Sequence, residues 1–175
     1  METGETVEEL EVDGHEVVFR YPRMDDVDDL LDLINSLVEE GAPITRQEKL
    51  DRDEEVDWLS DVLEKVENGR MVYLVVEVDG EVMGSAEVEK QEAQKSHIGQ
   101  LGISLREEIR GLGIGTRLME TIISEATEEL DLETVILEVF ESNEPAINLY
   151  EKLGFSEAGR VENGIERDGE YEDYL

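Results

Sequence analysis

The sequence predicts a mixed α/β domain, and three observations carry that prediction. Apolar runs of strand length alternate with stretches whose apolar residues recur at helical spacing. Asp-Gly pairs at Asp13-Gly14 and Asp79-Gly80 sit between such runs, where a two-residue hairpin turns. A glycine-rich run, Arg-Gly-Leu-Gly-Ile-Gly at 110–115, joins a strand-like segment to an amphipathic helix. The length of 175 residues fits one domain spanning 1–175, with residues 1–14 as a short N-terminal β extension.

The elements follow in order. Glu9–Tyr21 alternates around Asp13-Gly14 and reads as a short β-ribbon. Val27, Leu30, Leu31, Ile34, Leu37 and Val38 mark a helix that ends at Gly41-Ala42-Pro43. A second helix is expected from about Glu54 to Glu67, with Leu59, Val62, Leu63 and Val66 inward and Asn68-Gly69 as its stop. Met71–Val78 and Glu81–Glu89 form a hairpin, and the near-continuous apolar character of the first suits a central strand. Ser96–Leu105 is the next strand, Gly113–Leu130 a helix, and Thr134–Phe140 a further buried strand. Pro145 suits the first turn of a helix that stops at Gly154, and Phe155–Leu175 reads as two strands joined around Gly164–Gly169.

Composition narrows the function classes. The chain has 48 acidic and 15 basic residues, a formal charge of −33, yet 39% of it is apolar. An evenly acidic, lysine-poor surface over an ordinary core fits a protein solvated in concentrated salt, as in a halophile, where screening shortens to about 3 Å at 1 M. The competing reading is a nucleic-acid mimic, which has no need of a phosphate loop. With no cysteine, disulfides, zinc–thiolate sites and thiol nucleophiles are excluded, and two histidines make a multi-histidine metal site improbable. Neither a membrane-length apolar run nor a signal pattern is found, so the expectation is a soluble cytoplasmic protein with no nucleic-acid or membrane partner. Homodimer formation is left open.

The loop at 110–115 carries the chemistry. Glycines there let consecutive backbone N–H groups converge, and the helix behind adds its positive end, which together cradle a phosphate. Arg110 supplies a fixed charge beside it.

With its neighbours added, the chain resembles the GNAT family of acyl-CoA N-acyltransferases. The pattern (Arg/Gln)-x-x-Gly-x-(Gly/Ala) is matched by Arg110, Gly113 and Gly115, with apolar Leu105 five residues earlier. A second block, Leu137-Glu138-Val139 followed by Asn143, Ala146, Tyr150 and Leu153-Gly154-Phe155, is also similar to that family. The resemblance implies a mostly antiparallel central sheet flanked by helices, with a splayed strand pair at the acyl-CoA cleft. It implies acetyl-CoA as co-substrate, its pyrophosphate held by Arg110, Gly111, Leu112, Gly113, Ile114, Gly115 and Thr116. Leu105 would lie against the pantetheine, Asn143 would contact the pantetheine or diphosphate region, and the N–H of Ile103 would face the thioester carbonyl. Loss of one such oxyanion donor costs about 2.7–4 kcal/mol. Arg106 and Arg117 either add positive charge there or simply pair with nearby glutamates.

Two residues are expected to be catalytic. A phenol of pKa near 10 is a suitable donor to a departing thiolate, and the resemblance assigns that part to Tyr150. Packing with Ile147 and Leu153 is its plain structural alternative. Glu138 matches the base position of ribosomal-protein N-terminal acetyltransferases; its apolar neighbours make a carboxylate there costly without a task. Glu87 is the second candidate for the base and His97 the third. Gly99 stands where many relatives carry a glutamate and cannot serve.

The ending Glu157–Leu175, with Asp168-Gly169-Glu170-Tyr171, and the run His97–Ile103 are similar to members acting on amino acids and other small amines. The expected activity is direct acetyl transfer to a primary amine of a small molecule or amino acid. The alternatives are an N-terminal protein acetyltransferase, with a peptide groove between the first helices and the last hairpin, and a non-catalytic acyl-CoA-binding module. The expected acceptor walls, Gly41–Asp57 and Gly159–Gly169, carry no diagnostic motif.

Overall fold

A computed structural model describes residues 1–167 and 169–175 of the chain; Asp168 lies outside the described residues. The elements are β1 (Thr6–Val12), β2 (His15–Arg20), α1 (Val27–Glu39), α2 (Arg52–Glu67), β3 (Met71–Val78), β4 (Glu81–Lys90), β5 (Ile98–Leu105), α3 (Ile114–Leu130), β6 (Thr134–Leu137), α4 (Glu144–Lys152), β7 (Val161–Arg167) and β8 (Glu170–Tyr174). Strands β1 to β6 lie in chain order in one sheet, antiparallel except for the parallel pair β5–β6. The N-terminal ribbon is therefore the edge of the main sheet, joined through β2 to β3.

Strand periodicity sorts side chains onto two faces. Val72, Leu74 and Val76 of β3, with Ala86 and Val88 of β4, are buried on the face that α3 covers through Leu118, Met119, Ile122 and Ala126. Tyr21 hydrogen-bonds Glu125 of α3 at 2.9 Å on that side. The opposite face carries Tyr73, Glu87 and Ser85 and lies under α1 and α2. Arg20 anchors this side, bonded to both carboxylate oxygens of Asp26 at 2.8 and 2.7 Å and to Glu77 at 2.8 Å.

The second helix starts at Arg52 rather than near Glu54. Asp51 caps it, accepting from the Glu54 N–H at 3.0 Å while the Glu54 carboxylate accepts from the Asp51 N–H at 2.9 Å.

The strand expected over Thr134–Phe140 pairs with β5 only as far as Leu101↔Leu137. Beyond Leu137 the chain leaves β5 and bonds to the C-terminal strand, Val139 with Leu175 and Glu141 N–H to the Asp173 carbonyl. An isolated bridge between Phe140 and Tyr174 marks the change of partner. β5 continues for four residues with no strand paired on that side among the described residues, so the strand pair is splayed.

Candidate acetyl-transfer site

Hydrogen-bond phase decides which backbone groups face the splay. The Arg106 N–H donates to the Met83 carbonyl and the Gln91 N–H to the Ile98 carbonyl, both at 2.9 Å. Antiparallel bonding alternates along a strand, so Gly102 and Ser104 spend their N–H groups on β4. Those of Ile103 and Leu105 point instead into the gap left by β6. Their side chains pack toward the core, and Leu105 Cδ1 sits 3.1 Å from where a Cβ on Gly115 would stand.

The loop after β5 has the backbone that its glycines permit. Gly111 and Gly113 adopt φ of +75° and +82°, in the left-handed region where other residues are strained. Gly113 is the N-cap of α3, with no side-chain cap. The first intrahelical bond runs from the Arg117 N–H to the Gly113 carbonyl, so the N–H groups of Ile114, Gly115 and Thr116 have no intrahelical partner, the arrangement that suits an anion. Ile114 is 1% exposed and roots the turn in the core, whereas Leu112 is exposed.

The three arginines of this window all have partners. Arg110 donates to the Leu105 carbonyl through Nε at 2.9 Å and Nη2 at 2.8 Å, and pairs with Glu40 at the end of α1. Arg106 pairs with Glu81 at 3.0 Å. Arg117 reaches back to Glu8 of β1, away from the loop. Only Arg110 is tied to the strand that borders the gap.

Beside the splay lies a cleft of about 920 Å³. Ile103, Glu87, Glu138, Asn143 and Tyr150 all line it, so two blocks distant in sequence meet there. Asn143 is the N-cap of α4, its side chain accepting from the Ala146 N–H at 3.3 Å. Tyr150 packs edge-on to Phe155, ring centroids 6.0 Å apart, and shows no hydrogen bond from its hydroxyl among the described residues. Burial, and then the Glu87 carboxylate, raise its pKa above the ordinary phenol value.

The carboxylates divide by environment. Glu138 is exposed at the cleft rim, because the strand ends one residue before it. The burial cost argued from its apolar neighbours therefore does not arise. Glu87 stands on the floor, opposite Tyr73 of β3 and Gly102 of β5. A Cβ at Gly102 would overlap Glu87 Oε1, so that glycine makes the room the carboxylate occupies. Burial, reinforced by Glu89, pushes the Glu87 pKa up to about 7. His97 is exposed ahead of β5 and is absent from the cleft lining.

One buried carboxylate was not foreseen. Glu55 of α2 lines the same cleft and is 2% exposed. The signal was available: it precedes Leu59 by four residues and Val62 by seven, on the inward stripe of the helix. Among the described residues no cluster of three or more metal-ligating side chains occurs, and no helix is long and apolar enough to cross a membrane.

Comparison with known proteins agrees with this geometry. The model of the acetyltransferase (GNAT) family matches residues 31–155. An N-alpha-acetyltransferase of Sulfurisphaera tokodaii is 32% identical over 154 residues, covering 82% of this chain and 83% of that protein. The L-amino acid N-acetyltransferase AaaT of Escherichia coli is 33% identical over 101 residues, 57% of this chain and 62% of that protein. A Salmonella typhimurium acetyltransferase solved with acetyl-CoA superposes with a TM-score of 0.78 at 20% identity, covering 90% of both chains. With the fold, the loop and the family match in agreement, the chain belongs to the GNAT family and is an N-acetyltransferase.

Proposed function

We propose that this enzyme transfers the acetyl group of acetyl-CoA directly to a primary amine of a small molecule or amino acid. The observation that carries the reading is the meeting of a glycine-rich helix N-terminus, two β5 N–H groups without a strand partner among the described residues, and Glu87 and Tyr150 in the cleft beside the splayed strand. Arg110 and the N–H groups of Gly111–Thr116 hold the pyrophosphate, and Asn143 contacts the pantetheine side. Ile103 donates its N–H to the thioester oxygen, where negative charge grows as the amine nitrogen bonds to the carbonyl carbon.

Glu87 takes the proton that the attacking nitrogen loses, directly or through water. Its carboxyl, with the pKa raised to about 7 by burial, is matched to that work, and it stands on the cleft floor where Glu138 stands at the exposed rim. Glu138 draws the cationic amine toward the rim. As the carbon–sulfur bond breaks, Tyr150 protonates the leaving thiolate. No covalent acyl-enzyme is needed, and a chain without cysteine lacks the commonest nucleophile for one.

A second reading, acetylation of protein N-termini, is favoured by the extent of the Sulfurisphaera match. Against it, Arg167 of β7 donates to the Gly41 and Ala42 carbonyls at 3.1 and 3.0 Å, and Gln47 to the Glu166 carbonyl at 2.8 Å. These bonds bridge the space a peptide would need between the first helices and the last hairpin.

Tyr150→Phe tests the mechanism. The ring and its packing remain, so the fold and acetyl-CoA affinity should be unchanged, while kcat should fall about 10²–10⁴-fold. Wild-type turnover in that variant, with product release shown not to limit the rate, would remove Tyr150 from the chemistry.

A further inference from the structure

The acceptor end of the cleft contains more negative charge than one amine requires. Asp61 and Glu89 share Lys65, at 3.1 and 3.2 Å, and Glu92 pairs with Arg70. Glu55 differs: it is 2% exposed, yet no hydrogen bond or ion pair reaches its carboxylate among the described residues. A nearly buried carboxylate without a donor is unfavourable, so a cation or proton reaching Glu55 from the cleft is favoured there.

Its surroundings give that demand a direction. Glu55 lies one helical turn before Trp58, whose ring meets Tyr73 edge-on with centroids 5.6 Å apart. Tyr73 is the direct cross-strand neighbour of Glu87. Tyr73, Glu55 and Glu87 all line the cleft, and burial with the charges of Glu87 and Glu55 raises the phenol pKa. Burial lifts the Glu55 pKa to about 7, and the Arg46 charge opposes that rise from outside ion-pair distance. The cleft therefore has two carboxylates, the buried Glu55 and the half-buried Glu87, with the Trp58–Tyr73 pair lining it beside them.

We infer that Glu55 binds a second protonated nitrogen of the acceptor, making the preferred substrate class a short aliphatic diamine. The inference rests on the acetyl-transfer reading of the same cleft. The reacting amine faces Glu87 and Tyr150, the distal ammonium donates to the Glu55 carboxylate, and the methylenes between them pack along Trp58 and Tyr73. Binding exchanges an empty buried anion for a paired one. A monoamine of the same length leaves Glu55 unpaired and forfeits that gain.

The test compares 1,4-diaminobutane with n-butylamine, using wild-type enzyme and Glu55→Gln, with kcat/KM and calorimetric diamine binding both measured. The glutamine is isosteric and removes a desolvated charge, so the melting temperature should hold or rise. Wild type should prefer the diamine by about thirtyfold or more, and Glu55→Gln should erase the preference by lowering diamine turnover while leaving n-butylamine within about threefold. Equal use of both amines by wild type, or a preference that survives Glu55→Gln, overturns the role of Glu55 and leaves the acetyl-transfer reading standing. Diamine binding lost in Glu55→Gln, but with no acetylation of either amine by wild type, supports the site and overturns that reading instead.

Discussion

Arg110–Thr116 is one uninterrupted run, whereas the acceptor end of the cleft draws Glu55 from α2, Tyr73 from β3, Glu87 from β4, Gly102 from β5 and Tyr150 from α4. The first region works through backbone: left-handed glycines and the unspent N–H groups of a helix start. The second works through side chains whose properties come from burial rather than from identity. Glu87 and Glu138 are the same residue type in the same cleft, yet Glu87 is shifted to about 7 and Glu138 is an exposed carboxylate at the rim. A backbone site is specified locally and tolerates a changed setting; a desolvated carboxylate has its chemistry only while the surrounding elements keep water away.

The comparison breaks most visibly at the loop. Gly113→Asp forces a non-glycine residue into φ of +82° and sets a carboxylate in the cradle proposed to hold the pyrophosphate. Acetyl-CoA affinity should drop by about a hundredfold or more, while the cleft groups keep their environment. Calorimetric titration measures this, and unchanged affinity would detach the cofactor from this loop.

The acceptor side is sharpened by exchanging its two carboxylates for glutamine one at a time. Glu87→Gln should lower kcat/KM about 10- to 100-fold at pH 7, with Glu138→Gln changing it about threefold or less. For a base that must be ionised, rate rises with pH through about 7 in the wild type, and that limb should vanish in Glu87→Gln. The same shift affects stability with a definite sign. Between the unfolded carboxylate value of 4.5 and about 7 the native state retains protons that the unfolded chain has released, at Glu87 and Glu55 alike. Stability therefore falls as pH rises through that window, and Glu87→Gln should make the fall shallower in pH-resolved melting curves. An equal loss of activity in both variants would place the two carboxylates on the same footing and defeat the comparison.

The smallest and most diffuse effect concerns neither region alone. With a charge of −33, the melting temperature should climb as potassium chloride rises from about 0.1 M to 2 M, because repulsion among exposed carboxylates is screened. A flat melting curve across that range would mean the surface is held by specific pairs instead. Arg110–Glu40, Arg117–Glu8 and Arg160–Glu141 would be the first to examine.

By itself the sequence determined what is encoded at short range. The two Asp-Gly hairpins, the helical apolar stripes, the Pro145 helix start and the glycine turn before α3 each depend on neighbours within a few residues, and each was legible there. The splay of β5 from β6 was legible only as an implication of family resemblance. Physically it arises because residues after Leu137 find better partners in Asp173 and Leu175, more than thirty positions away. Helical spacing already put Glu55 on the inward face of α2. What spacing could not say is that no ion pair forms at Glu55 among the described residues, or that Gly102 opens a socket for Glu87 two strands away from Tyr73. Desolvation is a property of everything that surrounds a group, so the tertiary structure alone raised the Glu55 and Glu87 pKa values to about 7.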